Sequence, residues 1–128
     1  MGLKHALVRC TPQRFRKAAR FNCGTTPLHE VLKNCTALKV TLPGGSVSIA
    51  YQYVTPGVVE LVAVQGAVEH GSVLDHLPWL ENRVNGHAVR LMTRRPGLVR
   101  CLKKRGYESL EEIAGVHIMQ KELSHERR

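Results

Sequence analysis

Apolar and polar positions alternate with the two-residue period of a strand over 88–93, where Ala88, Arg90 and Met92 oppose Val89, Leu91 and Thr93. Arg94-Arg95-Pro96-Gly97 breaks the alternation, and Pro96 suits the first turn of a helix, where a missing N–H is no loss. Leu98, Val99 and Leu102 then share one helical face, with Arg100, Lys103, Lys104 and Arg105 wetting the other. Basic residues in the last turn favour the negative end of the helix dipole. Gly106 suits the left-handed position that stops a helix, and Tyr107 enters a new short segment. Strand, helix, glycine stop and strand make a unit around which a core can be built.

The same reading extends to the rest of the chain. It predicts a strand over 3–9, a helix opened by Thr11-Pro12 and running to about Phe21, and a short helix over 28–33 after Thr26-Pro27. Strands over 37–42, 46–54 and 58–64 are joined by Pro43-Gly44-Gly45 and Thr55-Pro56-Gly57, an antiparallel meander. The third of these is apolar on both faces apart from Glu60 and belongs at the centre of a sheet. Residues 65–71 read as loop, and Ser72 or Asp75 caps a helix to about Val84; a start at Asp75 puts Pro78 in its first turn. Asn85-Gly86 turns the chain into the 87–93 strand. A short strand over 107–110, a turn at Glu111-Glu112 and a closing strand over 113–123 complete the pattern, with 124–128 a frayed basic tail. The order β-α-α-β-β-β-α-β-α-β-β predicts one α/β domain over 1–128, a mixed sheet with helices on both faces. By the right-handed crossover rule the strand at 87–93 lies parallel to the one at 58–64.

Composition narrows the class. The chain has 128 residues, 43% of them hydrophobic, enough for one packed core. No run is long enough to span a membrane, and the N-terminus MGLKHALVRC lacks the apolar stretch of a signal peptide, so no membrane partner and no secretion are expected. Cys10, Cys23, Cys35 and Cys101 form no close pair, and the seven His include no H-E-x-x-H, so no metal site is signalled. The net charge of +9 favours polyanions: nucleic acid, a phosphorylated cofactor or an acidic protein.

Strand, short helix, then Gly106-Tyr107 resembles the C-terminal half of the GNAT N-acetyltransferase fold, whose helix commonly ends in a glycine–aromatic pair. The element order extends the resemblance over most of the chain. It is also similar to small acetyltransferase-like proteins of tailed bacteriophages, including internal virion proteins. In active members, the resemblance implies, a loop patterned Gln/Arg-x-x-Gly-x-Gly/Ala holds the pyrophosphate of acetyl-coenzyme A on backbone N–H groups at a helix start. Here Glu69 falls on the Gln/Arg position, and Ser72 and Leu74 fall on the two glycine positions. The tyrosine that protonates the leaving thiolate in the family corresponds to Leu102, which has no proton to give.

Two general-base candidates remain: Glu60, on a strand where some members place a base, and His87, at the mouth of the neighbouring strand. Glu60 also reads as a charge at a sheet edge or paired with Lys39. If coenzyme A is bound, Gln65, Gly66, Gly71, Ser72, Arg94 and Arg95 are the residues to meet it.

With those motifs altered, the leading expectation is a non-catalytic acetyltransferase-like protein of a phage particle, with no cofactor. It would bind a larger assembly protein, or a second copy through the C-terminal strand, in the virion or host cytoplasm. The alternatives are a divergent acetyl-CoA-dependent N-acetyltransferase and an accessory protein making non-specific nucleic-acid contacts.

Overall fold

The structure, a computed structural model, describes residues 4–22, 26–42, 44–68 and 73–123. Seven strands form one sheet: β1 (Lys4–Val8), β2 (Thr36–Leu42), β3 (Gly45–Thr55), β4 (Val58–Val68), β5 (Ala88–Thr93), β6 (Glu108–Ile113) and β7 (Val116–Glu122). Their order across the sheet is β1-β2-β3-β4-β5-β7-β6. Every neighbouring pair is antiparallel except β4 and β5, which run parallel. The apolar 58–64 segment is therefore central and the 87–93 segment is its parallel neighbour, as the apolar run and the crossover rule predict.

Alternation gives the sheet two cores. Val40, Val47, Ile49, Val59, Leu61, Val89 and Met119 point to one face, covered by α2 (Leu77–Arg83) and α3 (Pro96–Lys104) through Leu77, Leu80, Val84, Val99 and Leu102. Ala37, Ala50 and Ala63 point to the other, under Phe15, Leu28 and Leu32 of the chain between β1 and β2. Small residues on that second face let the covering chain lie close, and Phe15 fills the space with no exposure at all. Mixed sheet and helices on both faces agree with the α/β class read from the sequence. None of the helices in the described residues is long and apolar enough to cross a membrane.

Three local expectations need correction. Residues 12–21 form turns and then a single 3-10 turn at Ala18–Phe21, not an α-helix. The Ala18 N–H is taken by the side-chain Oε1 of Gln65, at 2.8 Å, so the amide that would continue an α-helix is bonded to the sheet instead. Thr11 still caps the turn, accepting the Arg14 N–H on Oγ1. Next, α1 (Leu28–Val31) is one turn and passes into a 3-10 turn at Leu32–Asn34. Finally, the last hairpin turns at Ala114-Gly115, both at positive φ, and not at Glu111-Glu112, which are laddered to Ile118 and His117. Positive φ at both central residues is the two-residue turn whose twist matches the strands. At the other predicted stop, Gly106 does adopt positive φ; α2 begins at Leu77, after a 3-10 turn at Val73–His76 that contains Asp75, and not at Asp75 itself, with Pro78 still in its first turn. The tail at 124–128 lies outside the described residues.

Candidate active site

The parallel ladder between β4 and β5 is three rungs long: Val58↔Ala88, Val59↔Val89 and Glu60↔Arg90. Both strands continue, β4 to Val68 and β5 to Thr93, but they are no longer paired. A bulge drives them apart. Ala50 pairs with Ala63 and Tyr51 with Leu61, so Val62 is an extra residue in β4, two positions beyond the last rung. A bulge bends its strand and increases the twist. The result is a V-shaped opening with Glu60 and Arg90 at its vertex, and the β5-facing backbone edge of β4 emerges from the ladder there.

The V encloses a cavity of about 130 Å³. Leu61, Val64, Leu74, Leu77 and Leu98 approach it from the α2–α3 side; Ala18, Val62, Ala63 and Leu28 approach from the other, so the opening is lined from both faces of the sheet. Arg95 lines it beside the start of α3, where its own N–H donates to Thr93 Oγ1 at 3.0 Å. Apolar walls, a strand edge with exposed peptide groups and one guanidinium suit a long, thin, mostly apolar ligand with an anionic end.

A polar row crosses the sheet at the vertex. Gln52, Glu60, Arg90, Gln120 and Glu108 are successive register partners on β3, β4, β5, β7 and β6. They point to the face opposite α2 and α3, because Val59, Leu61, Val89 and Met119 point toward those helices. Gln52 Nε2 donates to Glu60 Oε1 at 3.0 Å, and Arg90 Nε donates to Gln120 Oε1 at 2.9 Å. Gln120 Nε2 in turn donates to Glu122 Oε2 at 2.8 Å, which, with His87 beside it, holds the Glu122 carboxyl below its usual range. Among the described residues Glu60 has no ion-pair partner. It is neither an edge charge nor paired with Lys39; it sits in the central strand, half-buried, held by a neutral amide. Its nearness is felt by Cys35, whose thiol is pushed up to about 12 by burial first, then by Cys10 and Glu60. That thiol is no nucleophile at neutral pH.

The remaining candidates fall elsewhere. His87 precedes the first rung, at the closed end of the V; its N–H donates to Gly57 O at 2.7 Å, and its Nδ1 lies 3.4 Å from Glu122 Oε1. Gln65 and Gly66 are in β4, not in a loop, because the ladder to β3 continues through Gln65↔Ser48 and Gly66↔Val47. Gln65 faces the 12–22 segment. A Cβ on Gly66 would collide with the β3 backbone at Ser46 O and Val47 Cα, which accounts for this glycine by strand packing. Gly71 and Ser72, with Glu69, lie outside the described residues. Arg94 and Arg95 are exposed at the open end. Leu102 is fully buried against the sheet. Tyr107, the other tyrosine of this region, is occupied: its hydroxyl donates to Glu81 Oε2 at 2.8 Å in the core.

Sequence reading passed over Arg90 and Gln120. The available signal was a charge at the third position of each of the two central strands, Val-Val-Glu and Ala-Val-Arg, the pairing of which only the fold discloses.

No family model matches the sequence, and no curated protein does. The fold has clear counterparts among solved structures. An IAA acetyltransferase from Bacillus cereus superposes with a TM-score of 0.66 at 11% identity, over 95% of this chain and 100% of that one. A GNAT family acetyltransferase from Elizabethkingia anophelis with acetyl-CoA bound gives 0.65 at 10% identity, over 94% and 98%. A Bacillus subtilis acetyltransferase in complex with CoA gives 0.62 at 13% identity, over 95% and 99%. The fold is that of the GNAT acetyltransferases.

These neighbours correct the leading expectation from sequence. A non-catalytic component of a phage particle, binding no cofactor, has no counterpart among them; they are acetyltransferases, and some hold CoA or acetyl-CoA. The expectation leaned on altered glycine and tyrosine positions, whereas the opening between β4 and β5 is made by backbone register and a bulge, which those substitutions leave in place.

Proposed function

We propose that the protein is an acyl-CoA-dependent N-acyltransferase that seats its acyl donor in the V between β4 and β5 and uses Glu60 as general base. The observation that carries this reading is the ladder that stops at Glu60↔Arg90, with a cavity lined on both strands by the unpaired residues that follow, Leu61 to Val64 on β4 and Leu91 to Thr93 on β5. The acetyl-CoA and CoA complexes of chains with the same fold support the choice of donor.

The residues present fit such a donor in part. The unladdered edge of β4 beyond Glu60 supplies peptide N–H and C=O groups for an amide-bearing chain, and the apolar lining excludes water from it. Arg94 and Arg95 would meet the phosphates. When bound, the donor supplies an activated thioester carbonyl.

The acceptor arrives as an ammonium and must become an amine before it can attack. Glu60, fixed by Gln52, takes that proton and passes it to solvent. The C–N bond forms as the C–S bond breaks. Of the two protons the nitrogen loses, one goes to solvent through Glu60 and one ends on the departing thiol. Arg95 is the one titratable side chain among the described lining residues, and Leu102 stands where the family has its tyrosine, so the sulfur leaves as the thiolate and takes its proton from solvent once released. A thiolate is a weak enough base to leave without a dedicated acid.

The test is thiol release from acetyl-CoA with a panel of primary amines. Acceptor-dependent release that falls on Glu60→Gln supports the reading. No release above the background rate with any amine contradicts it.

A further inference from the structure

Glu60 and Arg90 carry opposite charges on adjacent strands, yet each is tied to a glutamine rather than to the other. Gln52 holds the carboxylate from the β3 side. Gln120 holds the guanidinium by its Nε from the β7 side, and Glu122 fixes Gln120 in turn by taking its amide. The terminal N–H groups of Arg90 take part in no ion pair among the described residues. The two charges are thus held apart, next to each other, at the vertex of the cleft.

We infer that this pair selects the acceptor, and that the acceptor is a small α-amino acid: its ammonium goes to Glu60 and its carboxylate to Arg90. The assignment rests on the transferase reading for the chemistry and adds the substrate class.

The spacing favours it. Neighbouring strands lie about 4.8 Å apart, and an α-amino acid carries both charges on one carbon. With a hydrogen bond of about 2.9 Å at each end, it bridges two side chains standing side by side. A guanidinium presents its N–H groups in a planar fork that a carboxylate matches with two bonds. A plain alkylammonium at Glu60 would instead set its charge beside that of Arg90, uncompensated; the repulsion counts against diamines and lysine-like acceptors. On the far side of Gln120 from Arg90, Gly106, Glu108, Leu110, Gln120 and Glu122 border a depression of about 180 Å³ over β7 and β6. Exposed Met92, two residues along β5 from Arg90, offers an apolar surface at the opening.

The test compares each free amino acid with its amide and with its decarboxylated amine, by equilibrium titration of the full chain, wild type and Arg90→Met. Methionine keeps the apolar stem and removes the fork; Arg90→Lys keeps the charge alone, and melting temperature controls for folding. At least one free amino acid should bind about tenfold or more tightly than its two analogues. Arg90→Met should abolish that difference, and Arg90→Lys should retain part of it. Equal binding of all three forms, a preference that survives Arg90→Met, or no binding of any amino acid at millimolar concentration overturns the assignment. Acyl transfer is read separately by thiol release. Selective binding without transfer keeps the acceptor site and removes the transferase reading. Transfer to amines without regard to a carboxylate keeps the transferase and removes this site.

Discussion

Glu60 and Arg90 face each other across the last rung of the parallel ladder between β4 and β5, and the pairing of the two strands stops beyond them. A charge in the middle of a sheet needs a reason, because burial penalises it unless a partner offsets the cost. Here the reason is position: the pair marks the point where backbone pairing gives way to a cleft. Glu60→Gln keeps the shape and the contact with Gln52 but removes the base. Turnover should fall about a hundredfold or more at neutral pH, while the thermal midpoint stays within a few degrees of wild type. Loss of folding in this variant would mean that Glu60 is structural.

Gln120 joins Arg90 to Glu122, and its effect on Glu122 is directly measurable. The carboxyl of Glu122 lies below its usual range chiefly because Gln120 donates to it, with His87 adding to the effect. In Gln120→Leu the Glu122 titration midpoint, followed by side-chain carbonyl NMR, should rise toward the ordinary value. A depressed carboxylate stabilises the fold above its unfolded pKa, and that contribution is lost as pH falls through the folded value. The variant should therefore lose less stability than wild type on acidification through that window. Acyl transfer should fall too, as Arg90 turns to the adjacent Glu60.

The buried link from α2 to the last strands is Tyr107–Glu81–Lys121. The tyrosine hydroxyl donates to Glu81 Oε2 at 2.8 Å and Lys121 Nζ to Oε1 at 2.9 Å, with Glu81 only 6% exposed. Burial first, then the hydrogen bond to Glu81 and its charge, raises the Tyr107 pKa from its ordinary 10.0. A raised acid favours the fold while it is protonated. The contribution is complete below about 10, the unfolded value, and declines as pH climbs above it. Tyr107→Phe leaves one carboxylate oxygen short of a donor and should cost about 1–3 kcal/mol in denaturant unfolding at pH 7. Its stability should also fall less steeply than wild type above pH about 10. Equal alkaline slopes would show that Tyr107 does not titrate with folding.

Thiol reactivity separates the cysteines. Cys101 is exposed on α3, whereas Cys35 is half-buried, donates to Val31 O and is pushed up to about 12. With a limiting alkylating agent at pH 8, mass spectrometry should find Cys101 modified first, and Cys35 unmodified until the chain unfolds. Early labelling of Cys35 would contradict the packing around Glu60.

Most of the element order was legible because its punctuation is local. Pro96 and Gly106 bracket α3, Asn85-Gly86 precedes β5, and the alternation over 88–93 needs no tertiary information. What was hidden depends on partners. Gln65 and Gly66 read as loop by composition but are strand because β3 lies alongside. Residues 12–21 have helical spacing, yet Gln65, 47 residues away from Ala18, captures the amide that a helix would need. Glu60 stood out as a charge in an apolar run. Arg90 looked like the wet half of an alternation, since nothing in the sequence says which residue it will stand beside. The glycine and tyrosine positions drew attention to side chains, whereas the cleft is made of register.

Amide hydrogen exchange with and without acetyl-CoA is the most direct measurement. Saturable protection is expected along β4 beyond the vertex, at residues 61–66, and around residues 93–95 at the start of α3. Amides of 58–60, already laddered to β5, should be unchanged, and Arg94→Glu with Arg95→Glu should weaken the effect. No protection at millimolar acetyl-CoA, or protection confined to elements away from the β4–β5 opening, would contradict it.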